Sequence, residues 1–358
     1  MQIVKLLVTG AGAPGIRGTL YALRRNPDGV KVEVVGTDIN ADVAGRYLVD
    51  RFYQIPPPES DEYIPTLTEI CFKEGIRLIL PQTTREVRVL AEARDRLSQQ
   101  GIRVAVSRLD AINLANNKAR LLDIFASYGL PHPRYRLVHS EEELIDAVEA
   151  LGYPELPVVV RPPVSNGMRG LRILKEEAWD VSRYLNEKPD GVEISLGHLL
   201  QILRRGPSWP TLLVTEYLPG PEYTVDAFFG KNFFVAVPRL RRVVRSGITF
   251  LGEVEERKDL NEIVMKAAQL IGLEYAFGFQ FKMDANGVVK VLECNPRIQG
   301  TMVASVLAGY NIPWFAVREL MGFPVSLDEM QRLTLLPVKF YRYWGGIGVA
   351  DDLVLDEI

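Results

Sequence analysis

The chain has 358 residues, 47% hydrophobic and 24% charged, with a formal net charge of −3 at pH 7. That length supports two or three domains with cores of their own, and the near-neutral charge excludes a general attraction to nucleic acid or anionic membrane. Two cysteines (Cys71, Cys294) make neither a disulfide scaffold nor a zinc motif, three histidines (His132, His139, His198) leave little for histidine chemistry, and no apolar run nears the roughly 20 residues that span a bilayer.

The elements follow in chain order. "IVKLLVTG" predicts a buried strand, Gly15 to Arg25 a helix, and "VKVEVVGTD" a second strand ending at Asp38. "QIPPPESDEY" predicts a proline-stiffened loop. "YIPTLTEICFKEG" and "EVRVLAEARDRLSQQG" predict helices that alternate with strands "IRLILP" and "IRVAVS". Strict alternation argues a parallel sheet covered on both faces, closing near residue 112. The opening glycine pattern, Gly10-x-Gly12-x-x-Gly15, has the spelling of a dinucleotide-binding turn, and Asp38 stands where its ribose contact would fall. An NAD(P)-dependent oxidoreductase is therefore one reading. The "MQIVKLLVTGAG" start becomes glycine-rich too soon for a signal peptide, so a cytoplasmic protein is expected.

Beyond residue 112 the character changes. Leu121, Leu122, Phe125 and Tyr128 make one helix face, and Ser140 with Glu143 is spaced as a capping box. "LPVVVRP" and "LRIL" predict strands joined by the glycine-bearing loop "PVSNGMRG". "TLLVTEYLPGPEYTVDAFFGKNFFVAVPRL" predicts three successive strands, "NEIVMKAAQLIGL" a helix, and "AFGFQFKMDANGVVKVLECNP" a hairpin turning at Asn286-Gly287. The helices "TMVASVLAGY" and "IPWFAVRELMG" and short C-terminal strands complete the chain.

Chemistry concentrates in that hairpin. Glu293 and Asn295, two apart on a strand, face one way, and a two-residue turn would set Gln280 opposite Glu293. Hard oxygen ligands so arranged suit Mg²⁺ (or Mn²⁺) shared with substrate phosphates. Arg297 follows on the same side and would meet a phosphoryl group. Arg161 ends a strand before the loop Ser165 to Gly170, whose backbone N–H groups would cover phosphates. Glu216 to Leu218 end a strand, Glu222 begins the next, and Lys118 opens the first helix past the boundary. An arginine cluster, Arg239, Arg241, Arg242 and Arg245, lies between.

Taken in order, Lys118, Arg161 with its loop, Glu216-x-Leu218, Glu222, Gln280 and Glu293-Cys294-Asn295-Pro296-Arg297 resemble the ATP-grasp superfamily, over about residues 3 to 325. The branch resembled is that of the carbamoyl phosphate synthetase large subunit and the pyrrolysine-pathway ligase. The resemblance implies an α/β and α+β chain. An N-terminal Rossmann-like pre-ATP-grasp domain (1–112) precedes a two-subdomain ATP-grasp fold, with a smaller lid (113–215), a larger metal-bearing part (216–325) and a C-terminal extension (326–358). It implies an ADP-forming carboxylate–amine (or ammonia) ligase that uses ATP and Mg²⁺. Its partners would be a small acid, an amine and a second copy of the chain, with no nucleic acid and no membrane.

Residue by residue, it implies nucleotide contacts from Lys118, Arg161, Ser165, Asn166, Gly167, Met168, Glu216, Tyr217, Leu218 and Glu222. It implies metal ligation by Gln280, Glu293 and Asn295 and a catalytic role for Arg297; from the arginine cluster itself, Arg245 first, a catalytic contact to the γ-phosphate or the substrate carboxylate is expected. Gly12, Ala13, Pro14 and Arg239 would line the acid pocket. A non-catalytic ATP-binding module is the third reading; the intact Glu293, Asn295 and Arg297 set argues against it.

Overall fold

The computed structural model describes residues 3–165, 167–176, 181–186, 191–343, 345–350 and 353–357. The first sheet comes from β1 (Ile3–Thr9), β2 (Lys31–Asp38), β3 (Arg51–Gln54), β4 (Leu78–Leu80) and β5 (Arg103–Val104). All pairings are parallel, in the order β3-β2-β1-β4-β5. Residues 4 and 6–8 of β1 are buried, the continuous pattern expected of a strand covered on both faces. The crossover helices are α1 (Ile16–Arg24), α2 (Tyr63–Glu74) and α3 (Thr84–Gln99), followed by α4 (Leu109–Ala115). "QIPPPESDEY" is not loop from its first residue: β3 ends on Gln54, because "RFYQ" finds an open edge beside β2.

The second sheet is built from β6 (Tyr135–Val138), β7 (Val158–Arg161), β8 (Arg172–Leu174), β9 (Glu193–Ile194) and β10 (Leu212–Glu216), in the order β6-β10-β7-β8-β9. Its helices are α5 (Lys118–Ser127), α6 (Glu141–Ala150), α7 (Val181–Asn186) and α8 (Leu196–Leu203). Side-chain caps fix three of them, α8 through Ser195, which accepts from His198 N–H. Asn117 accepts from the N–H groups of Ala119 and Arg120, which puts Lys118 at the first helical position. Ser140 accepts from Glu143 N–H, and the Glu143 carboxylate reaches back to His139 N–H at 2.6 Å.

The third sheet has the order β15-β14-β11-β12-β13-β16, from β11 (Glu222–Phe229), β12 (Phe234–Arg245), β13 (Ile248–Val254), β14 (Tyr275–Met283), β15 (Val289–Asn295) and β16 (Lys339–Tyr341). Helices α9 (Lys258–Ile271), α10 (Val303–Leu307), α11 (Ile312–Met321) and α12 (Leu327–Arg332) accompany it, and a hairpin of β17 (Ile347–Ala350) and β18 (Leu353–Glu357) follows.

By contacts the chain forms two compact units. One holds the residues up to Ala115, Glu222–Gln280 and the segment from Cys294 onward; the other holds Asn116–Pro221 and Phe281–Glu293. This grouping is not sequential: in the first unit, Val4, Leu6 and Val8 of β1 share one core with Phe228, Val237, Trp314 and Phe315. Each such large side chain removed from water stabilises by about 1.5–3 kcal/mol. The second unit has its own core around Leu144, Val158, Leu174 and Val214. Among the described residues no helix is long and apolar enough to cross a membrane.

Candidate functional site

In the second unit two buried cations, Lys118 and Arg161, lie beside the strand that carries Glu293. The Lys118 ammonium lies 3.5 Å from Glu293 and donates to the Ser165 carbonyl at 2.7 Å. The Lys118 backbone N–H donates to Pro163 O at 2.8 Å, so the helix start and the loop after β7 are tied at two points. Burial pushes the ammonium below its ordinary pKa, Glu293 pulls it up and Arg161 pushes it down again. Arg161, at the end of β7, is 5% exposed; it donates to Leu292 O at 2.9 Å, and its Nε is buried with no partner. Burial lowers its pKa and the Glu293 charge opposes that. Two guanidinium and ammonium groups held this dry, one with an unspent donor, suit an anionic ligand such as a polyphosphate.

Among the described residues of the loop that follows, Gly167 (φ 60°), Met168 (φ 61°) and Gly170 (φ 75°) are left-handed. A side chain on Gly170 would meet Pro162 Cδ at 2.7 Å, so glycine is required there. Asn166 lies outside the described residues.

The strand end of β10 is also charged. Glu216 accepts from Arg134 Nε at 2.9 Å and from the Lys290 ammonium at 2.7 Å. Burial pushes its carboxyl up, but Lys290 and Arg134 together hold it below the ordinary range. Tyr217 lies under the Lys282 ammonium, 5.1 Å from the ring centroid, and Leu218 is buried. Glu216 is thus held by two cations at the end of β10.

In the first unit, Arg297 donates to Thr84 Oγ1 at 2.9 Å and to the Asn295 amide oxygen at 3.2 Å. Asn295 stands two residues after Glu293 on β15, and carboxylate and amide oxygens are the donor types that Mg²⁺ takes. The two-residue turn expected at Asn286-Gly287 is longer in the structure. Asp284 N–H donates to Val288 O at 3.0 Å and Gly287 N–H to Asp284 O at 3.1 Å, so the turn spans Ala285, Asn286 and Gly287. The cause is Asp284, whose carboxylate takes the N–H groups of Asn286 and Val288, both at 2.9 Å.

The arginine cluster separates. Arg239 is 1% exposed and lies 3.5 Å from Asp226, with Thr249 Oγ1 at 3.3 Å. Arg241 pairs with Glu222, donates to Thr249 Oγ1 at 2.9 Å and to Gly247 O at 2.6 Å. Glu222 is therefore bound through Arg241. Arg245 is not drawn in: it is exposed and stacks over Phe250, 4.9 Å from the centroid, because β12 runs past the sheet into a hairpin tip at Ser246-Gly247. Asp226 is fully buried and also accepts from Gln299 Nε2 at 3.2 Å and Ser305 Oγ at 2.8 Å. Arg134, Lys290, Thr84 and Asp226 were not legible as site residues; only the alternation along β11, which points Asp226 inward, gave a signal.

The glycine turn has a use other than NAD. Asp38 accepts from Gly12 N–H at 2.7 Å and Asn40 N–H at 3.0 Å, so its carboxylate holds the turn. A Cβ on Gly15 would stand 2.7 Å from Gly300 Cα, and one on Gly18 would stand 3.0 Å from Val303 Cβ. The glycines let α1 pack against the segment after Arg297. Ala13 N–H closes the turn on Gly10 O at 2.9 Å, leaving Pro14 exposed.

Residues 6–105 match the model of the PylC-like N-terminal domain, and residues 208–338 match "ATP-grasp in the biosynthetic pathway with Ter operon". Among solved structures, the chain is similar to the biotin carboxylase–β-γ-ATP complex of Campylobacter jejuni (TM-score 0.69, 19% identity, 93% of this chain and 74% of that one). It is similar to N5-carboxyaminoimidazole synthetase of Staphylococcus aureus complexed with ADP (TM-score 0.67, 18% identity, 90% and 78%). It is also similar to the biotin carboxylase domain dimer of the Hydrogenobacter thermophilus 2-oxoglutarate carboxylase, in complex with MgADP, ADP and bicarbonate (TM-score 0.67, 20% identity, 92% and 72%). At these identities the likeness is one of fold.

Proposed function

The chain belongs to the ATP-grasp superfamily, and from that premise we propose that it is an ADP-forming ligase that joins a small carboxylic acid to an amine or ammonia. The observation that carries this is the Lys118–Glu293 ion pair, with the buried Arg161 bonded to Leu292 O beside it, on the strand that also bears Asn295. The nucleotides bound in the structural neighbours support the same assignment of ATP and Mg²⁺.

A carboxylate is a poor acyl donor because its oxygen does not leave. Accepting the γ-phosphoryl group of ATP makes an acyl phosphate; the amine then forms the C–N bond as the C–O bond to phosphate breaks, and the amine gives up a proton. Lys118 and Arg161 are read as the phosphate cations, and the loop from Ser165 through Gly170 as their cover. Backbone groups of Glu216 to Leu218 are read as the adenine edge, and Glu222 as the ribose contact. Glu293 and Asn295 would hold Mg²⁺, with Gln280 as a third donor; the metal, when bound, supplies charge neutralisation on the phosphates. Arg297, fixed by Thr84, steadies the transferring group. Gly12, Ala13, Pro14 and Arg239 are assigned to the acid pocket, and a homodimer is the expected assembly. Incubation with ATP, Mg²⁺ and paired libraries of acids and amines should release ADP only where both partners are present. ADP release that never depends on an acid would refute the ligase reading.

A further inference from the structure

Three guanidinium groups meet at one threonine in the first unit, and among the described residues two carboxylates answer them. Thr249 Oγ1 receives Arg239 at 3.3 Å and Arg241 at 2.9 Å, while Thr249 O receives Arg342 Nε at 3.3 Å. Arg241 has Glu222 and Arg239 has Asp226. Arg342 has neither. Its remaining bonds go to Gly300 O at 2.9 Å and, longer, to Pro14 O at 3.5 Å.

Arg342 is placed by the sheet. Glu253, Gly252 and Leu251 of β13 pair in turn with Lys339, Phe340 and Tyr341 of β16, and Arg342 N–H continues the ladder onto Phe250 O at 2.7 Å. It lies past residue 338, where the match to the ATP-grasp model ends. A guanidinium carries five N–H donors, and the three bonds above use one on each nitrogen. One donor stays on each terminal nitrogen, available to an oxyanion. The surroundings are open: Pro14, Gly12 and Gly300 are exposed and Arg342 is half-buried. Burial and the neighbouring Arg239 charge both disfavour the Arg342 cation, and Arg239 Nε is itself buried without a partner. A buried or half-buried positive cluster in excess of its carboxylates is stabilised by an anion from outside.

We propose that Arg342, with Arg239 beside it, is the anion-binding end of the acid pocket, and that the group it takes is a carboxylate of the acid substrate. This rests on the ligase reading, since a carboxylic acid is the anion that reading supplies. The turn at Pro14 and the turn at Gly300 then form the rim, which gives the C-terminal strand a part in substrate choice.

The test uses malonate as the probe, titrated calorimetrically into the full chain at constant ionic strength. The wild type should bind it saturably. R342Q should weaken binding at least 10-fold, R342K should lie between, and R242Q, whose exposed arginine pairs with Glu253, should match the wild type. Wild-type protein that does not take up malonate, R342Q that binds it undiminished, or R242Q that loses as much would each overturn the assignment. An unchanged Mg-ADP affinity in R342Q shows that the variant is folded. Wild type that takes malonate but no Mg-ADP would instead refute the ligase reading.

Discussion

The two compact units handle buried positive charge in different ways. In the second, Lys118 pairs with Glu293 and also donates to Ser165 O, while the buried Arg161 donates to the Leu292 carbonyl next to Glu293. In the first, Arg239 and Arg241 are each given a carboxylate, and Asp226 is further held by Gln299 and Ser305. The first arrangement leaves cation capacity for a ligand. The second is a closed internal network, open only where Arg342 joins it. Position in sequence does not distinguish them; the number of partners per charge does.

The largest effect should come from breaking the closed network. Asp226→Ala leaves the fully buried Arg239 without its anion and should cost about 3–5 kcal/mol, read as a fall in Cm in urea. Arg245→Ala, on the exposed hairpin tip, should stay within about 0.5 kcal/mol in the same experiment. Equal costs would erase the distinction between the buried and exposed arginines of β12.

Breaking the open arrangement should instead be felt by ligand. Glu293→Gln should weaken the magnesium-dependent part of ADP affinity by about 10–100-fold, a loss typical of disturbed metal shells. Arg161→Met should weaken ADP with or without magnesium. If Glu293→Gln changes neither, the metal assignment is wrong.

A smaller, pH-dependent contrast sharpens the picture. Glu86 in the first unit is buried, and burial raises its carboxyl pKa against the hydrogen bonds from Thr83 and Thr9. A raised carboxyl favours the fold while protonated, and that advantage is lost as pH climbs from the ordinary carboxylate range through the folded value. Glu86→Gln should therefore be more stable than wild type at pH 8 and equal to it at pH 4. Glu216 is the reverse: its lowered pKa adds stability above the unfolded value that is lost as pH falls through the folded one. Glu216→Gln should cost about 1–2 kcal/mol at pH 7 and little at pH 3. Melting curves at four pH values separate the two signs.

Much of this was legible in sequence because it is local. The parallel sheet follows from apolar runs broken by helical periods, and Lys118 sits at a helix start because Asn117 caps it. What was not legible is what distant segments supply. The short edge strand at Tyr135–Val138 exists only because β10 offers it a partner. The turn near Asn286 looks like a two-residue turn until the Asp284 side chain claims two N–H groups and lengthens it. Arg342 and Thr249 are 93 residues apart and meet only through the pairing of β16 with β13. The glycine turn is the sharpest case. Its spelling suits a dinucleotide, yet Gly15 and Gly18 serve a helix packed on Gly300 and Val303, a use that no window around the motif contains.

The most direct test of the central claim is a calorimetric titration of the full chain with ADP, with and without Mg²⁺, and in parallel with NADH. The account predicts saturable ADP binding that magnesium strengthens, and no NADH binding. Saturable NADH binding with no uptake of ADP would contradict it.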